Sequence, residues 1–207
     1  MKARRFGLVI LCALALALAG CDSFSLPKVF TRPEDRVLAL AVDKATTERL
    51  VGTVGLIPSG GTGPYRFELS PVSLYTPTNT QSIGSITNLT YSAGGAIGRM
   101  RITVTDSVGD SVSAYIDVLP PMPTLQGTRI TNSTDATITI TWSYDTSIID
   151  SLVIQRSFNG GAFSPLTSST TSPGSYPDNN LNKVQPYTYR IYAIAGDFVS
   201  PFFDLTL

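Results

Sequence analysis

Histidine is absent from the 207 residues, and this absence removes two common routes to catalysis. No histidine can activate a serine nucleophile, and none can act as a ligand for zinc. Cysteine is almost as scarce, since Cys12 and Cys21 are the two examples. They form no CxxC pair for metal binding or redox exchange. The sequence therefore predicts no catalytic residue, no metal and no cofactor, and we expect the chain not to be an enzyme.

Charged residues are also sparse. They make up 14% of the chain, whereas apolar residues make up 43%. This balance favours a folded chain over an intrinsically disordered one. Beyond the first 20 residues the chain carries 12 basic and 15 acidic side chains, without a basic stripe. We therefore predict that the protein does not bind nucleic acid.

The first 20 residues have the pattern of a secretory signal peptide. Lys2, Arg4 and Arg5 precede an apolar run that extends from Phe6 to Ala19. At about 1.5 Å per residue the run covers roughly 21 Å as a helix, which is less than the roughly 30 Å of a bilayer core. We predict residues 1–20 to be a signal peptide and not a membrane span.

The signal ends in Leu18-Ala19-Gly20-Cys21, which resembles the lipobox of bacterial lipoproteins. The resemblance implies cleavage before Cys21, a diacylglycerol thioether on the Cys21 sulfur and a further acyl chain, such as palmitate, on the freed amine. Cys21 is thus the expected lipidation site, and two or three chains hold a protein stably to a membrane. We expect lipid anchoring in the bacterial cell envelope, on the periplasmic side or at the cell surface. Inner or outer membrane, the face and the oligomeric state stay open.

Residues 21–35 form a polar, proline-containing segment that we interpret as a tether. From Thr31 to Arg49 two structures stay open. Thr31-Arg32-Pro33-Glu34 fits a capping box that would begin a helix, whereas "RVLALAV" at residues 36–42 fits a first strand. The β-rich remainder of the chain favours the strand.

Residues 36–119 alternate apolar and polar side chains with a period of two, which is typical of half-buried strands. The apolar members are Tyr65, Phe67 and Leu69, then Met100, Ile102 and Val104, then Val112, Ala114, Ile116 and Val118. Turn signals lie at residues 59–64, 93–95 and 106–110. "SGGTGPYRFEL" and "ITVTDSVGDSVSAYIDV" resemble a bacterial Ig-like domain, which implies an antiparallel β-sandwich that acts as a spacer or adhesive module.

Three prolines in Leu119-Pro120-Pro121-Met122-Pro123 predict a domain boundary, since proline cannot donate to a sheet. Residues 120–207 then resemble a fibronectin type III domain. The resemblance depends on Trp142 in "TITITWSY", on "SLVIQRSFNGGAF" as a hairpin with a turn at residues 159–161, and on Tyr187 in "PYTYRIYAIAG". It implies a second antiparallel β-sandwich, with Trp142 in the core and Tyr187 as a tyrosine corner. The predicted fold class is all-β, with two sandwiches in tandem.

Acidic and aromatic side chains supply the other candidate sites. Asp106 and Asp110 could bind calcium, but we expect turn-forming aspartates. A solvated rim of loop aspartates is predicted at Asp145, Asp150, Asp178 and Asp197.

Exposed tyrosines that could stack on a sugar or contact a protein are predicted at Tyr75, Tyr91, Tyr115, Tyr144, Tyr176 and Tyr192. Cross-strand stabilisation of the sheets is the favoured interpretation of these tyrosines. We expect Phe198, Phe202 and Phe203 to belong to the last strand and not to a docking peptide.

These observations predict a lipid-anchored envelope lipoprotein that acts as a non-catalytic structural or protein-interaction module. Its expected partners are a membrane, through the lipid on Cys21, and a protein in the envelope or at the cell surface. One alternative is a carbohydrate-binding accessory lipoprotein, with a glycan as its ligand. Another is a non-catalytic subunit of an envelope enzyme complex.

Overall fold

The computed structural model describes residues 37–207, which form an all-β chain. The strands build two β-sandwiches that follow one another along the sequence, so the predicted fold class is confirmed. Within the described range the chain contains no helix that is long and apolar enough to cross a membrane. The predicted signal peptide, Cys21 and the tether lie outside the described residues.

The N-terminal sandwich is formed by the first eight strands. Their bounds are β1 (Ala39–Val42), β2 (Thr46–Glu48), β3 (Thr53–Ser59), β4 (Arg66–Leu74), β5 (Ser85–Thr87), β6 (Thr90–Ser92), β7 (Gly98–Thr105) and β8 (Ser111–Leu119). One sheet has the order β1-β3-β6-β5, and the other has the order β2-β8-β7-β4. The sequence predicts antiparallel pairing, but β2 and β8 run parallel. Only residues 43–45 separate β1 from β2, so the chain keeps its direction as it crosses between the sheets.

The C-terminal sandwich is formed by the remaining eight strands. Their bounds are β9 (Leu125–Thr131), β10 (Ala136–Trp142), β11 (Ser151–Phe158), β12 (Ser164–Ser169), β13 (Gly174–Leu181), β14 (Tyr187–Ala195), β15 (Phe198–Val199) and β16 (Phe203–Thr206). One sheet has the order β13-β10-β9, and the other has the order β12-β11-β14, with β15 and β16 both paired to β14. The predicted domain limits of 36–119 and 120–207 enclose these strands and stay a prediction.

Alternation along the central strands produces the two cores. In β7 the side chains of Met100, Ile102 and Val104 are fully buried, and their neighbours in sequence point outward. In β10 the isoleucines Ile138 and Ile140 are fully buried, while the threonines between them face out. Because successive side chains of a strand point to opposite faces, each of these sequences can bury only its apolar half. The strands predicted from these two patterns are confirmed.

Two residues that carry the fibronectin type III resemblance have the roles that it implies. Trp142 is buried in the core of the C-terminal sandwich. The hydroxyl of Tyr187 accepts a 3.0 Å hydrogen bond from the backbone N–H of Asn182, five residues upstream, as in a tyrosine corner. The turn after β11 contains Asn159 and Gly160, both at positive φ, as a tight hairpin requires. The returning strand β12 begins at Ser164, slightly later than the sequence predicts.

The helical alternative for Thr31 to Arg49 is wrong wherever the structure describes this segment. Residues 39–48 contain β1 and β2, each hydrogen-bonded to a neighbouring strand. A helix would leave those neighbouring strands without partners on that side. Residues 31–36 lie outside the described range.

The chain enters the N-terminal sandwich at the end that points away from the C-terminal sandwich. Ala39 pairs with Ser59 at the end of β3, and Leu38 lies beside Gly61 in the loop that follows. β8 then runs the length of the sheet and ends at Leu119, where the C-terminal sandwich begins. The chain therefore enters the N-terminal sandwich at one end and leaves it at the other, next to the C-terminal sandwich.

Candidate interaction surfaces and the junction between the sandwiches

Cys21, the predicted lipidation site, lies outside the described residues, so its modification stays a prediction. Asp106 lies at the chain-entry end of the N-terminal sandwich and is buried. Its carboxylate accepts backbone hydrogen bonds of 2.9 to 3.0 Å from the N–H groups of Thr62, Val108, Gly109 and Asp110.

These four bonds explain why the pKa of the Asp106 carboxylate is lowered. Burial raises the pKa of Asp106, but the four N–H donors outweigh this effect and hold the pKa below its usual value. Asp110 contributes its backbone N–H group to this set of bonds. Both oxygens of the Asp106 carboxylate are thus engaged by backbone N–H groups. Among residues 37–207, no three aspartate, glutamate or cysteine side chains lie close enough together to hold a metal ion.

The predicted solvated rim of aspartates is wrong for Asp178. It lies in β13, is buried, and receives two bonds of 2.8 and 2.9 Å from Nη1 of Arg156. The hydroxyl of Tyr189 donates a third bond of 2.8 Å to the same carboxylate. A β-bulge in β13 shifts the register directly after Asp178, since Ile138 pairs with Asp178 but Ala136 pairs with Leu181. Such a network stabilises a core when all its members are satisfied, as they are here.

The tyrosines have three different environments. Tyr91 is fully buried in the core of the N-terminal sandwich, so the prediction that it is exposed is wrong. Tyr115 on β8 is 53% exposed. The other four are half-buried, and Tyr75 and Tyr144 bond to groups at the contact between the sandwiches. Phe198 and Phe203 lie in β15 and β16, as predicted, while Phe202 lies between these strands and is 54% exposed.

One exposed cluster of the C-terminal sandwich consists of Phe163, Arg190, Phe202 and Asp204, and we call it the arginine stack. The guanidinium of Arg190 lies between two rings, 4.0 Å from the centre of Phe163 and 3.7 Å from that of Phe202. Its Nε and Nη2 atoms each donate a 2.8 Å hydrogen bond to the Asp204 carboxylate. The two rings and the Asp204 carboxylate thus hold the guanidinium in one orientation, with its charge paired.

The arginine stack lies on the outer face of the sheet that contains β14, which we call the stack face. Tyr192 lies two residues beyond Arg190 on the same face, and Val153 of β11 is its cross-strand neighbour. Aromatic residues and arginine are enriched in the energetic centres of protein interfaces. The stack face therefore has the composition of a protein-interaction surface.

The two sandwiches are joined by direct contacts as well as by residues 120–124, the linker between β8 and β9, and we call this region the junction. The hydroxyl of Tyr75 donates a 2.7 Å bond to Oδ1 of Asp150, and the backbone N–H of Gly196 donates a 2.7 Å bond to Oδ2. Burial and the bond to Asp150 raise the pKa of Tyr75 to about 12. The N–H of Gly196 and the hydroxyl of Tyr75 hold the pKa of Asp150 below its usual value.

Apolar packing adds to the junction. Ile97, between β6 and β7, is fully buried and belongs to the core of the C-terminal sandwich, together with Ile148 and Ile149. The short 3-10 turns at Thr76–Thr78 and Thr146–Ile148 lie against each other at the same place. The core of the second sandwich is thus completed by a residue of the first.

A tyrosine holds the linker, and a buried arginine stabilises the nearby loops of the N-terminal sandwich. Arg49 donates from Nε to the carbonyl of Gly95 at 2.9 Å and from Nη2 to the side chain of Gln81 at 2.7 Å. The hydroxyl of Tyr144 donates a 2.6 Å bond to the carbonyl of Pro121 in the linker. Burial raises the pKa of Tyr144, so this donor keeps its proton at neutral pH. The bond from Tyr144 thus ties the linker to the C-terminal sandwich, while the bonds from Arg49 lie within the N-terminal sandwich.

Comparison with known proteins gives structural matches only. No family model and no curated protein matches the chain. A segment of chicken tenascin with two fibronectin type III domains is 15% identical, covers 82% of this chain and 97% of its own, and gives a TM-score of 0.48. A cytokine receptor complex is 17% identical over 82% of this chain and 95% of its own, with a TM-score of 0.43. At these identities and TM-scores the matches give no information on function.

Proposed function

We propose that this protein is a bacterial lipoprotein, anchored through Cys21, that presents its C-terminal sandwich to a protein partner in the cell envelope without catalysing a reaction. The observation that carries the proposal is the junction. Ile97 and the bond between Tyr75 and Asp150 join the sandwiches into one body, while the chain enters at the opposite end. Such a body holds the C-terminal sandwich at a constant orientation relative to the N-terminal sandwich.

The lipobox supports the anchoring step. Cleavage before Cys21 would leave a tether of 15 residues before residue 36, which can extend to about 50 Å. The tether would let the sandwiches move away from the lipid surface, and the junction would keep the two sandwiches in line. We place the protein contact on the stack face, because it combines rigid aromatic surface with a pre-oriented arginine.

Site-specific photocrosslinking in the native cell tests the protein contact. A photoreactive residue at Phe202 reports on the stack face, and one at Tyr115 is the matched control, since the two side chains are 54% and 53% exposed. We expect position 202 to capture one protein and position 115 to capture none. Equal capture at both positions, or none at position 202, would contradict the proposed contact.

Metabolic labelling with palmitate tests the anchor separately. We expect the wild-type protein to take up label and to sediment with membranes. Cys21→Ala should lose both properties, because the acyl acceptor is missing. A Cys21→Ala protein that is labelled and membrane-bound would show that the anchor assignment is wrong, whatever the crosslinking shows.

A further inference from the structure

A groove on the C-terminal sandwich is lined by uncharged side chains, most of which are polar. It lies on the outer side of the β13-β10-β9 sheet, which is the face opposite to the stack face, and its volume is about 480 Å³. This volume lies within the range of about 300–1,000 Å³ that small-molecule sites occupy. Five of its lining side chains carry a hydroxyl or an amide group, and they are Thr124, Gln126, Thr141, Ser143 and Ser175.

The polar groups of the groove are available to a ligand. None of these five side chains is hydrogen-bonded to another protein group within residues 37–207. Three pairs of hydroxyls elsewhere are bonded to each other across strands. Thr103 bonds to Ser113 at 2.8 Å on the N-terminal sandwich, for example. Hydroxyl and amide groups that both donate and accept suit a ligand that is itself rich in hydroxyls.

The groove and the face around it carry no charge. Gln126 and Ser175 are the cross-strand neighbours of Thr141, and the pair Thr128 and Thr139 continues the same neutral face. The charged residues of these strands lie on the other side of the sheet, where Asp178 is buried with Arg156. Charge complementarity therefore favours a neutral ligand over an acidic or basic one.

Pro173 provides an apolar wall, and the edge of the buried Trp142 side chain lines the groove beside it. The cross-strand neighbour of Trp142 is Gly174, and a Cβ atom there would lie 2.2 Å from Cε2 of the indole. Glycine is thus required for the close approach of ring and strand. The indole N–H donates a 3.2 Å bond to the carbonyl of Thr171, which holds the ring in place. An apolar wall beside neutral hydrogen-bonding groups matches a sugar ring, which has C–H faces and an edge of hydroxyls.

We propose that this groove binds a neutral polysaccharide. A chain-like ligand fits better than a single sugar because the uncharged, hydroxyl-rich face continues from the groove along β9 and β10. The inference is independent of the proposed protein contact, since the two surfaces lie on opposite faces of the sandwich. The tyrosines that the sequence predicts as possible sugar-stacking residues do not line this groove.

Affinity gel electrophoresis of the full-length chain in detergent tests the proposal. The probes are the neutral polymers hydroxyethylcellulose, soluble starch, galactomannan and dextran, with alginate as the charged comparison. We expect at least one neutral polymer to slow migration and alginate to have no effect. Gln126→Ala with Thr141→Ala should weaken binding about tenfold or more, because each lost hydrogen bond weakens binding about 3- to 10-fold.

Thr103→Ala with Ser113→Ala is the matched control, because it removes hydroxyls that are already paired. We expect it to bind as the wild type does, and equal melting temperatures establish that both double variants are folded. No retardation by the neutral polymers would overturn the proposal, as would retardation by alginate alone or equal binding by the groove variant. A photoreactive residue at Thr141 that captures a protein in the cell, and no glycan, would also overturn it.

Discussion

Tyr75 of the N-terminal sandwich donates a 2.7 Å hydrogen bond to Asp150 of the C-terminal sandwich. The other oxygen of Asp150 is held by the backbone of Gly196, so the carboxylate has one position and the tyrosine is bound to a fixed point. Ile97 packs into the second core close to this bond. The contact between the sandwiches is therefore part of the fold, and its removal has measurable consequences.

Replacement of Ile97 by alanine should lower the free energy of unfolding by about 2–5 kcal/mol, because a fully buried isoleucine leaves a cavity. Urea unfolding measures this value. Ile57→Ala is the control, since Ile57 is 55% exposed and should change the value by about 0.5 kcal/mol or less. Equal, small effects of both substitutions would show that Ile97 is not a core residue.

The two sandwiches should unfold together. Trp142 is the one tryptophan, so its fluorescence reports on the C-terminal sandwich, whereas far-ultraviolet circular dichroism reports on both. We expect the two transitions to coincide in the wild type and to separate in Ile97→Ala, because the junction couples the sandwiches. Separate transitions in the wild type would contradict this coupling.

Stability should depend on pH through the bond between Tyr75 and Asp150. The pKa of Tyr75 is raised from 10.0 to about 12, so its contribution is complete below pH 10 and is lost as the pH rises through 12. The pKa of Asp150 is lowered, so its contribution is present above about pH 4 and is lost in more acidic solution.

Tyr75→Phe isolates the alkaline effect, because phenylalanine does not titrate. The stability difference between the wild type and this variant, measured by urea unfolding, should be constant from pH 6 to 9. It should shrink between pH 10 and 12. A difference that does not change up to pH 12 would show that the Tyr75 hydroxyl is not held by Asp150.

Loss of the buried Asp178 carboxylate should be costly. Asp178→Ala leaves Arg156 and the Tyr189 hydroxyl without their partner, and we expect a loss of about 3 kcal/mol in unfolding free energy. Asp204→Ala breaks the exposed pair with Arg190 and should have a much smaller effect, because solvent screens it. Calorimetry distinguishes the two, and similar losses would contradict the structural role of Asp178.

The strands could be predicted from the sequence where local alternation determines burial. Met100 and Ile102 in β7, and Ile138 and Ile140 in β10, show this pattern within single strands. Tyr187 could be assigned from the fibronectin type III resemblance, and its hydroxyl bonds to a backbone group only five residues away.

Contacts between distant parts of the chain could not be predicted in this way. Tyr91 lies in a three-residue strand that is too short to show a period, so its burial depends on the opposite sheet. Asp178 carries no local sign of its bond to Arg156, 22 residues away. Ile97 and Asp150 belong to loops whose partners lie in the other sandwich. Such sites depend on how the two halves meet, which the local pattern of one sequence does not encode.

Mass spectrometry of the mature protein purified from membranes tests the anchoring of this two-sandwich body most directly. We expect an N-terminal peptide that begins at Cys21 and carries the mass of a diacylglycerol thioether, with or without a further acyl chain on the amine. An unmodified peptide at Cys21, or a chain that retains residues 1–20, would contradict the lipid anchor and with it the proposed presentation from a membrane.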